Sequence, residues 1–138
     1  MVQLTLEMAD QVVKAAFEKA RELGTPMTIS VVDAAGHIVL CARGDGTGFL
    51  SPETSRAKAV AAAAFRRSTK EMAEMHQAGS PFWSTIASVL NGQVLPSTGG
   101  LPLIVEGKVI GGIGCGGGLS GEQDHLCAEA GAAALRSL

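Results

Sequence analysis

Aromatic residues are scarce in this sequence, which contains no tyrosine, one tryptophan and four phenylalanines among its 138 residues. Proteins that bind single strands of nucleic acid stack the bases on aromatic side chains, so this chain has little material for such a surface. An excess of positive charge is also absent, because the net charge is −2 at pH 7. Since clustered lysines and arginines are what binds a phosphate backbone, we expect no nucleic-acid partner.

Cysteines are few as well, and Cys41, Cys115 and Cys127 form no CxxC pair. An odd number without paired spacing predicts reduced thiols instead of a disulfide framework or a thiolate zinc site. The sequence also lacks HExxH, HxxxH and a cluster of carboxylates, so we expect no bound catalytic metal. Without a GxSxG motif, a Ser-His-Asp triad is not supported either.

No apolar run approaches the ~20 residues that a helix needs to cross a bilayer, so we expect no membrane association. The first residues, MVQLTLEMADQ, lack the basic and apolar segments of a signal peptide, and the expected location is the cytoplasm. Hydrophobic residues make up 46% of the chain and charged residues 17%, which is typical of a globular protein. Because no change of composition marks a linker, we expect residues 1–138 to form a single domain.

Local patterns predict the order of helices and strands. Apolar residues at helical spacing predict a first helix that is capped by Thr5 and ends at Gly24. Ser51 is expected to cap a second, alanine-rich helix, and Ser120 a final one. Further helices are predicted over 69–76 and 81–90, and strands over 27–33, 37–43, 101–105 and 108–115. This order indicates an α+β protein with one antiparallel sheet flanked by helices.

The stretch GIGCGG at 112–117 matches GxGxxG between a strand and a helix, as in dinucleotide-binding proteins. Such proteins need a second parallel strand with an acidic residue about 20 residues later, and here the chain ends in its last helix. We therefore reject a dinucleotide site. Gly116 and Gly117 are expected to allow close packing or a ligand near the backbone, where free amides at a helix start would bind a carboxylate or propionate.

Several motifs in both halves of the chain occur in the order of one known family. They are VVDAAGH at 31–37, Arg43, Asp45, RAKA at 56–59, Phe65, Pro96, GGLP at 99–102, GKVIGGIG at 107–114 and QDHLCA at 123–128. With these motifs the chain resembles the GlcG/HbpS family of small haem- and corrinoid-associated proteins. The resemblance implies a profilin-like fold with a five-stranded antiparallel sheet flanked by helices, and it implies a homo-oligomer.

Function is less uniform than fold in that family. Its members have been associated with haem binding and degradation, with a cobalamin-related domain, with glycolate operons and with catabolic gene clusters. The resemblance therefore implies a small-molecule ligand, with haem or a related tetrapyrrole as the first candidate and as the only cofactor suggested.

A haem site requires an apolar slot, an axial ligand and cations for the propionates. His76, beside Met72 and Met75, is the best supplier of the axial ligand, although a solvent-facing histidine would give the same pattern. His37 and His125 are expected to be structural or exposed. Some haem-binding relatives use a histidine in the first helix, and this first helix has none.

An enzyme that isomerises or hydrolyses a small unsaturated organic acid is the competing hypothesis. Arg56 and Lys58 would hold a carboxylate, while Asp124 or His125 would move a proton. Lys58 is itself a candidate catalytic residue, as a nucleophile or an acid. Lys58 and Asp124 are equally compatible with a structural ion pair. The polar loop formed by Ser97, Thr98, Gly99 and Gly100 would line the same pocket.

The side-chain directions decide between these hypotheses. Haem binding gains if His76 points into an apolar cleft, and the enzyme gains if Lys58, Arg43 and Asp124 converge on a small polar pocket. A third hypothesis, a non-catalytic oligomeric accessory protein, rests on the small residues of the helices, which would pack between subunits.

Overall fold

The structure, a computed structural model, describes residues 2–136 and contains five helices and four strands over that range. The helices are α1 (Leu6–Leu23), α2 (Ser51–Phe65), α3 (Thr69–Gln77), α4 (Pro81–Val89) and α5 (Gly121–Ala133). The strands are β1 (Thr28–Asp33), β2 (Ile38–Arg43), β3 (Gly100–Val105) and β4 (Lys108–Gly116).

Two of the three predicted helix caps are confirmed. The backbone N–H of Met8 donates to the hydroxyl of Thr5 at 3.1 Å, and α1 ends at Gly24, whose φ of 65° is left-handed. Ser120 caps α5 in the same way as Thr5 caps α1. Ser51 is not a cap, because it is the first residue of α2 and its hydroxyl donates to the backbone oxygen of Gly48 at 2.7 Å.

The strands form one antiparallel sheet in the order β2-β1-β4-β3. The five-stranded sheet that the resemblance implied is therefore wrong for residues 2–136, where the sheet has four strands. The segment between α4 and β3 turns onto α2 instead of extending the sheet. The N–H of Leu95 donates to the oxygen of Ala57 on α2 at 3.2 Å, and the N–H of Ser97 donates back to Leu95. Pro96, which lies between Leu95 and Ser97, has no N–H that it could donate to a neighbouring strand.

Helices cover both faces of the sheet. The main hydrophobic core lies between α1, α5 and the sheet, and it includes the fully buried Val12, Ile29 and Ile113. On the opposite face α2 packs directly on β4. The two elements are so close that a Cβ atom at Gly114 would clash with the backbone oxygen of Ser55. This close approach brings α2 side chains to the end of β4.

A second, smaller core joins α3 and α4 to α2. Met72 and Trp83 are buried there, and the rings of Phe65 and Trp83 meet edge to face with centroids 5.1 Å apart. The packing fixes the position of α3, which carries His76. Within residues 2–136, no helix combines the length and the apolar character needed to cross a membrane.

Candidate functional site

A buried ion pair connects Lys58 on α2 with Asp124 in the first turn of α5. The Nζ atom of Lys58 donates to Oδ2 of Asp124 at 3.1 Å and to the backbone oxygen of Cys115 at 2.9 Å. The two side chains expose 7% and 10% of their surface. The fold therefore brings together two predicted catalytic residues that lie 66 positions apart in sequence.

Backbone groups enclose this pair. The second carboxylate oxygen of Asp124 accepts the N–H of Gly118 at 3.1 Å. A Cβ atom at Gly99 would lie 3.0 Å from Nζ of Lys58, and one at Gly100 would lie 2.6 Å from the backbone oxygen of Lys58. Gly99 and Gly100, predicted as part of a ligand loop, thus lie where a side chain would collide with the ion pair or its helix.

Burial is the main electrostatic influence on the pair. It raises the pKa of Asp124 above its ordinary value, and the charge and hydrogen bond of Lys58 together with the N–H of Gly118 oppose that rise. Burial likewise raises the pKa of Cys115 well above its ordinary value, so this thiol stays neutral. A carboxyl and an ammonium in contact can exchange a proton with a ligand, but here both groups are enclosed.

Thr69 is a site neighbour that the sequence did not point out. Its hydroxyl accepts the N–H of Gly100 at 2.7 Å, and the side chain is fully buried at the start of α3. It therefore fixes the beginning of β3 beside Lys58. A single threonine at a helix start carries no sequence signal for such a contact.

His125 is buried, with 9% of its surface exposed, and it does not hydrogen-bond to Lys58 or Asp124 in the described range. Its Nε2 lies 3.6 Å from Oε2 of Glu129, and its buried Nδ1 has no hydrogen-bond partner among residues 2–136. Proton transfer by His125 therefore stays a prediction.

His76 lies on the exposed side of α3 and lines a cleft of about 340 Å³. Its Nδ1 is 2.9 Å from the hydroxyl oxygen of Ser84 on α4. The walls are largely apolar, and Ser97 is the predicted loop residue that reaches this cleft. The other lining residues are Ala73, Gln77, Trp83, Ala87, Leu95 and Pro96.

Arg56 lines a second cleft, of about 430 Å³, between α2 and the end of α4. Ala87 and Leu95 line both this cleft and the one that contains His76, so the two clefts adjoin. The remaining residues of the Arg56 cleft are Glu53, Thr54, Ala57, Gly92 and Val94.

The other predicted ligand residues lie apart from both clefts. Arg43 is exposed at the end of β2 and pairs across the sheet with Thr28, whose other neighbour is Gly116. In the described part of the chain no ion pair links Arg43 to Asp124. A Cβ atom at Gly117 would lie 2.8 Å from the side chain of Thr47.

Thr98 packs beside the start of α5, where a Cβ atom at Gly121 would lie 3.3 Å from its own Cβ. Of the three residues expected to converge on a polar pocket, Lys58 and Asp124 meet. Arg43, the third, forms no ion pair with Asp124 in the described range. Over residues 2–136 no three histidine, cysteine or carboxylate side chains are grouped so that they could hold a metal ion.

Comparison with known sequences gives a consistent family. The model of the HbpS-like family, which is described as "Haem degrading protein HbpS-like", matches residues 4–133 of this chain. An uncharacterized 15.0 kDa protein from the dhaT-dhaS intergenic region of Citrobacter freundii is 37% identical over 127 residues, which cover 91% of this chain and 87% of the relative. Protein GlcG of Escherichia coli K12 is 34% identical over 113 residues, with 82% and 81% covered.

A longer relative is also similar. The corrinoid adenosyltransferase PduO of Salmonella typhimurium is 34% identical over 134 residues, which cover 97% of this chain. The chain spans only 39% of the length of PduO, so the similarity concerns one part of that enzyme.

Two crystal structures show the same arrangement of elements. A complex of PduOC with haem has a TM-score of 0.87 at 34% identity, with 96% of this chain and 95% of that chain covered. HbpS has a TM-score of 0.87 at 36% identity, with 98% and 92% covered. From the family match and these relatives together, the chain belongs to the HbpS-like family.

Proposed function

We propose that this protein binds haem or a related tetrapyrrole and that His76 is the axial ligand of the metal. The family and the haem complex of PduOC support the ligand class. The observation that carries the choice of residue is the hydrogen bond between His76 and Ser84 at the mouth of an apolar cleft.

That hydrogen bond prepares His76 to bind a metal. The hydroxyl of Ser84 donates its only proton to the backbone oxygen of Ser80 at 2.8 Å. In the tautomer that binds a metal through Nε2, Nδ1–H of His76 donates to the oxygen of Ser84, and the lone pair of Nε2 is free. Histidine ligands of metals are commonly oriented by such a second hydrogen bond at the other ring nitrogen.

The surroundings of His76 also fit a tetrapyrrole. Trp83, Leu95 and Pro96 give the cleft apolar walls, and its size lies at the lower end of the range for small-molecule sites. Bound haem would supply iron for ligand binding or oxidation chemistry, and these side chains would contact its apolar ring.

The test is a hemin titration followed by absorbance with wild type, His76→Ala and His37→Ala. His37 is a matched control because it is an exposed histidine on the distant β1–β2 turn, with 81% of its side chain exposed. We expect a saturable, stoichiometric Soret shift in wild type and His37→Ala, and a displaced or missing shift in His76→Ala. Equal spectra for all three proteins, or no shift in wild type, would reject His76 ligation.

A second candidate function is an isomerase or hydrolase for a small unsaturated organic acid. The contact between Lys58 and Asp124 favours it, because an ammonium and a carboxylate in contact could serve as acid and base if an opening of the Gly99–Gly100 loop let a ligand reach the enclosed pair. A screen of small unsaturated carboxylic acids with wild type and Asp124→Asn tests it. Turnover that disappears in a folded Asp124→Asn protein would support this function, and no turnover by wild type would reject it.

We also propose that the protein is a cytoplasmic homo-oligomer that is built from one domain per chain. Phe49, Leu50 and Leu119 expose 80%, 56% and 76% of their surface, and large exposed apolar groups are typical of interaction surfaces. Light scattering on wild type and Phe49→Ser would test the assembly. If the protein oligomerises but binds neither hemin nor an organic acid, the accessory-protein hypothesis is the remaining one.

A further inference from the structure

We propose that Arg56 binds a free carboxylate side chain of the tetrapyrrole whose metal His76 holds. The ligand class would then be a tetrapyrrole with ionised carboxylates, such as haem, in preference to one whose side chains are amides or esters. This inference rests on the proposed function, because it assigns a second contact to the same ligand.

The two clefts adjoin and share one wall. Ala87 and Leu95 are the residues common to both, and each is half-buried. The N–H of Leu95 donates a hydrogen bond to the backbone oxygen of Ala57, the residue that follows Arg56 on α2. This bond holds the shared wall against α2. The side chains of Ala87 and Leu95, both apolar, therefore lie between the His76 cleft and the Arg56 cleft.

The sizes of the clefts support one ligand across both. A planar macrocycle of four pyrrole rings extends beyond a cleft of about 340 Å³, so part of its edge would lie outside that cleft. An edge that extends past Ala87 and Leu95 would reach the adjoining cleft, which Arg56 lines. We infer that the charged side chains of haem lie on this edge.

The charge of Arg56 is available for a ligand. Among the described residues no carboxylate lies within 4.0 Å of its guanidinium, although Glu53 lines the same cleft. A guanidinium presents paired N–H donors that match the two oxygens of a carboxylate. Glu53 would oppose a carboxylate in this cleft, so removing its charge should strengthen the binding.

Arg67 is the rival cation and provides the control. Its guanidinium carbon lies 5.8 Å from the ring centroid of Trp83, a residue of the His76 cleft. A carboxylate that leaves this cleft beside Trp83 would meet Arg67 instead of Arg56. Substitution of each arginine by glutamine removes one positive charge, and Arg67→Gln also removes the contact with Trp83.

The experiment measures the affinity of wild type, Arg56→Gln, Arg67→Gln and Glu53→Gln for hemin and for hemin dimethyl ester, which carries no free carboxylate. We expect Arg56→Gln to weaken hemin binding about tenfold, or ~1.4 kcal/mol, with an unchanged Soret maximum and unchanged affinity for the ester. Arg67→Gln should keep the wild-type ratio of hemin affinity to ester affinity, because its loss of the Trp83 contact affects both ligands equally, and Glu53→Gln should bind hemin more tightly.

The outcomes separate this inference from the proposed function. If wild type binds no hemin, or if His76→Ala leaves the spectrum unchanged, the proposed function fails first. If the spectrum depends on His76 while Arg56→Gln binds hemin like wild type, the role of Arg56 is overturned and the proposed function stands. A loss of affinity for hemin but not for its ester in Arg67→Gln alone, or an equal loss for hemin and its ester in Arg56→Gln, would also overturn it.

Discussion

The Nζ atom of Lys58 lies 3.1 Å from Oδ2 of Asp124, and the backbone oxygen of Cys115 accepts a second hydrogen bond from the same ammonium. These contacts tie α2, the end of β4 and the start of α5 together in the interior. A buried charge without its partner is strongly unfavourable, so the stability of the fold depends on keeping the pair intact.

Removal of one partner should therefore destabilise the protein strongly. We expect Lys58→Met to lower the free energy of unfolding by about 3–5 kcal/mol, because Asp124 would remain buried without a counter-charge. The double variant Lys58→Met/Asp124→Leu should recover much of this loss. Urea unfolding of the two variants and wild type measures both effects.

The exposed pair between Lys14 and Asp10 is the control for that comparison. Their side chains are 73% and 53% exposed, so Lys14→Met should change the urea midpoint little. Similar losses in Lys14→Met and Lys58→Met would contradict the importance of burial.

The pH dependence of stability should reveal the titration of Asp124. Burial raises its pKa in the folded state above the 3.8 of an ordinary aspartate, so the folded protein holds this proton more tightly than the unfolded chain. The resulting stabilisation is complete below pH 3.8 and disappears as the pH rises through the higher pKa of the folded state.

Thermal unfolding of wild type and Asp124→Asn across the acidic range isolates this contribution, since the other titrating groups are common to both proteins. The stability advantage of wild type over Asp124→Asn should decrease as the pH rises through the window. An advantage that grows with pH would instead mean that Lys58 outweighs burial and holds the pKa of Asp124 below that of an ordinary aspartate.

The packing of α2 on β4 should tolerate no side chain at Gly114. A methyl group there would clash with the backbone oxygen of Ser55, so Gly114→Ala should cost about 1–3 kcal/mol or more. Gly48→Ala is the control, because a Cβ atom at Gly48 has no neighbour within 4 Å. Chemical denaturation compares the two, and equal midpoints would contradict the close contact.

The three thiols should differ in reactivity. Cys41 is exposed, whereas Cys115 and Cys127 are buried. Burial raises the pKa of Cys127 to about 11, so at about pH 8 only about one such thiol in a thousand is the reactive thiolate. A thiol-specific dye should label Cys41 quickly and the other two only after unfolding. Fast labelling that persists in Cys41→Ser would contradict this assignment.

Much of the fold was predictable because local chemistry decides it. The caps at Thr5 and Ser120, the left-handed Gly24 and the two hairpins follow from hydrogen bonds and backbone preferences within a few residues. The family was also predictable from the sequence, because its motifs cover both halves of the chain.

The number of strands and the partners of the site residues were decided only by the tertiary structure. Whether Leu95 bonds to α2 or extends the sheet depends on where α2 lies, and the sequence near Leu95 does not encode that position. Lys58 and Asp124 were each singled out from the sequence, but their contact spans 66 residues. Long-range contacts arise from packing of the complete core, which no local pattern reports.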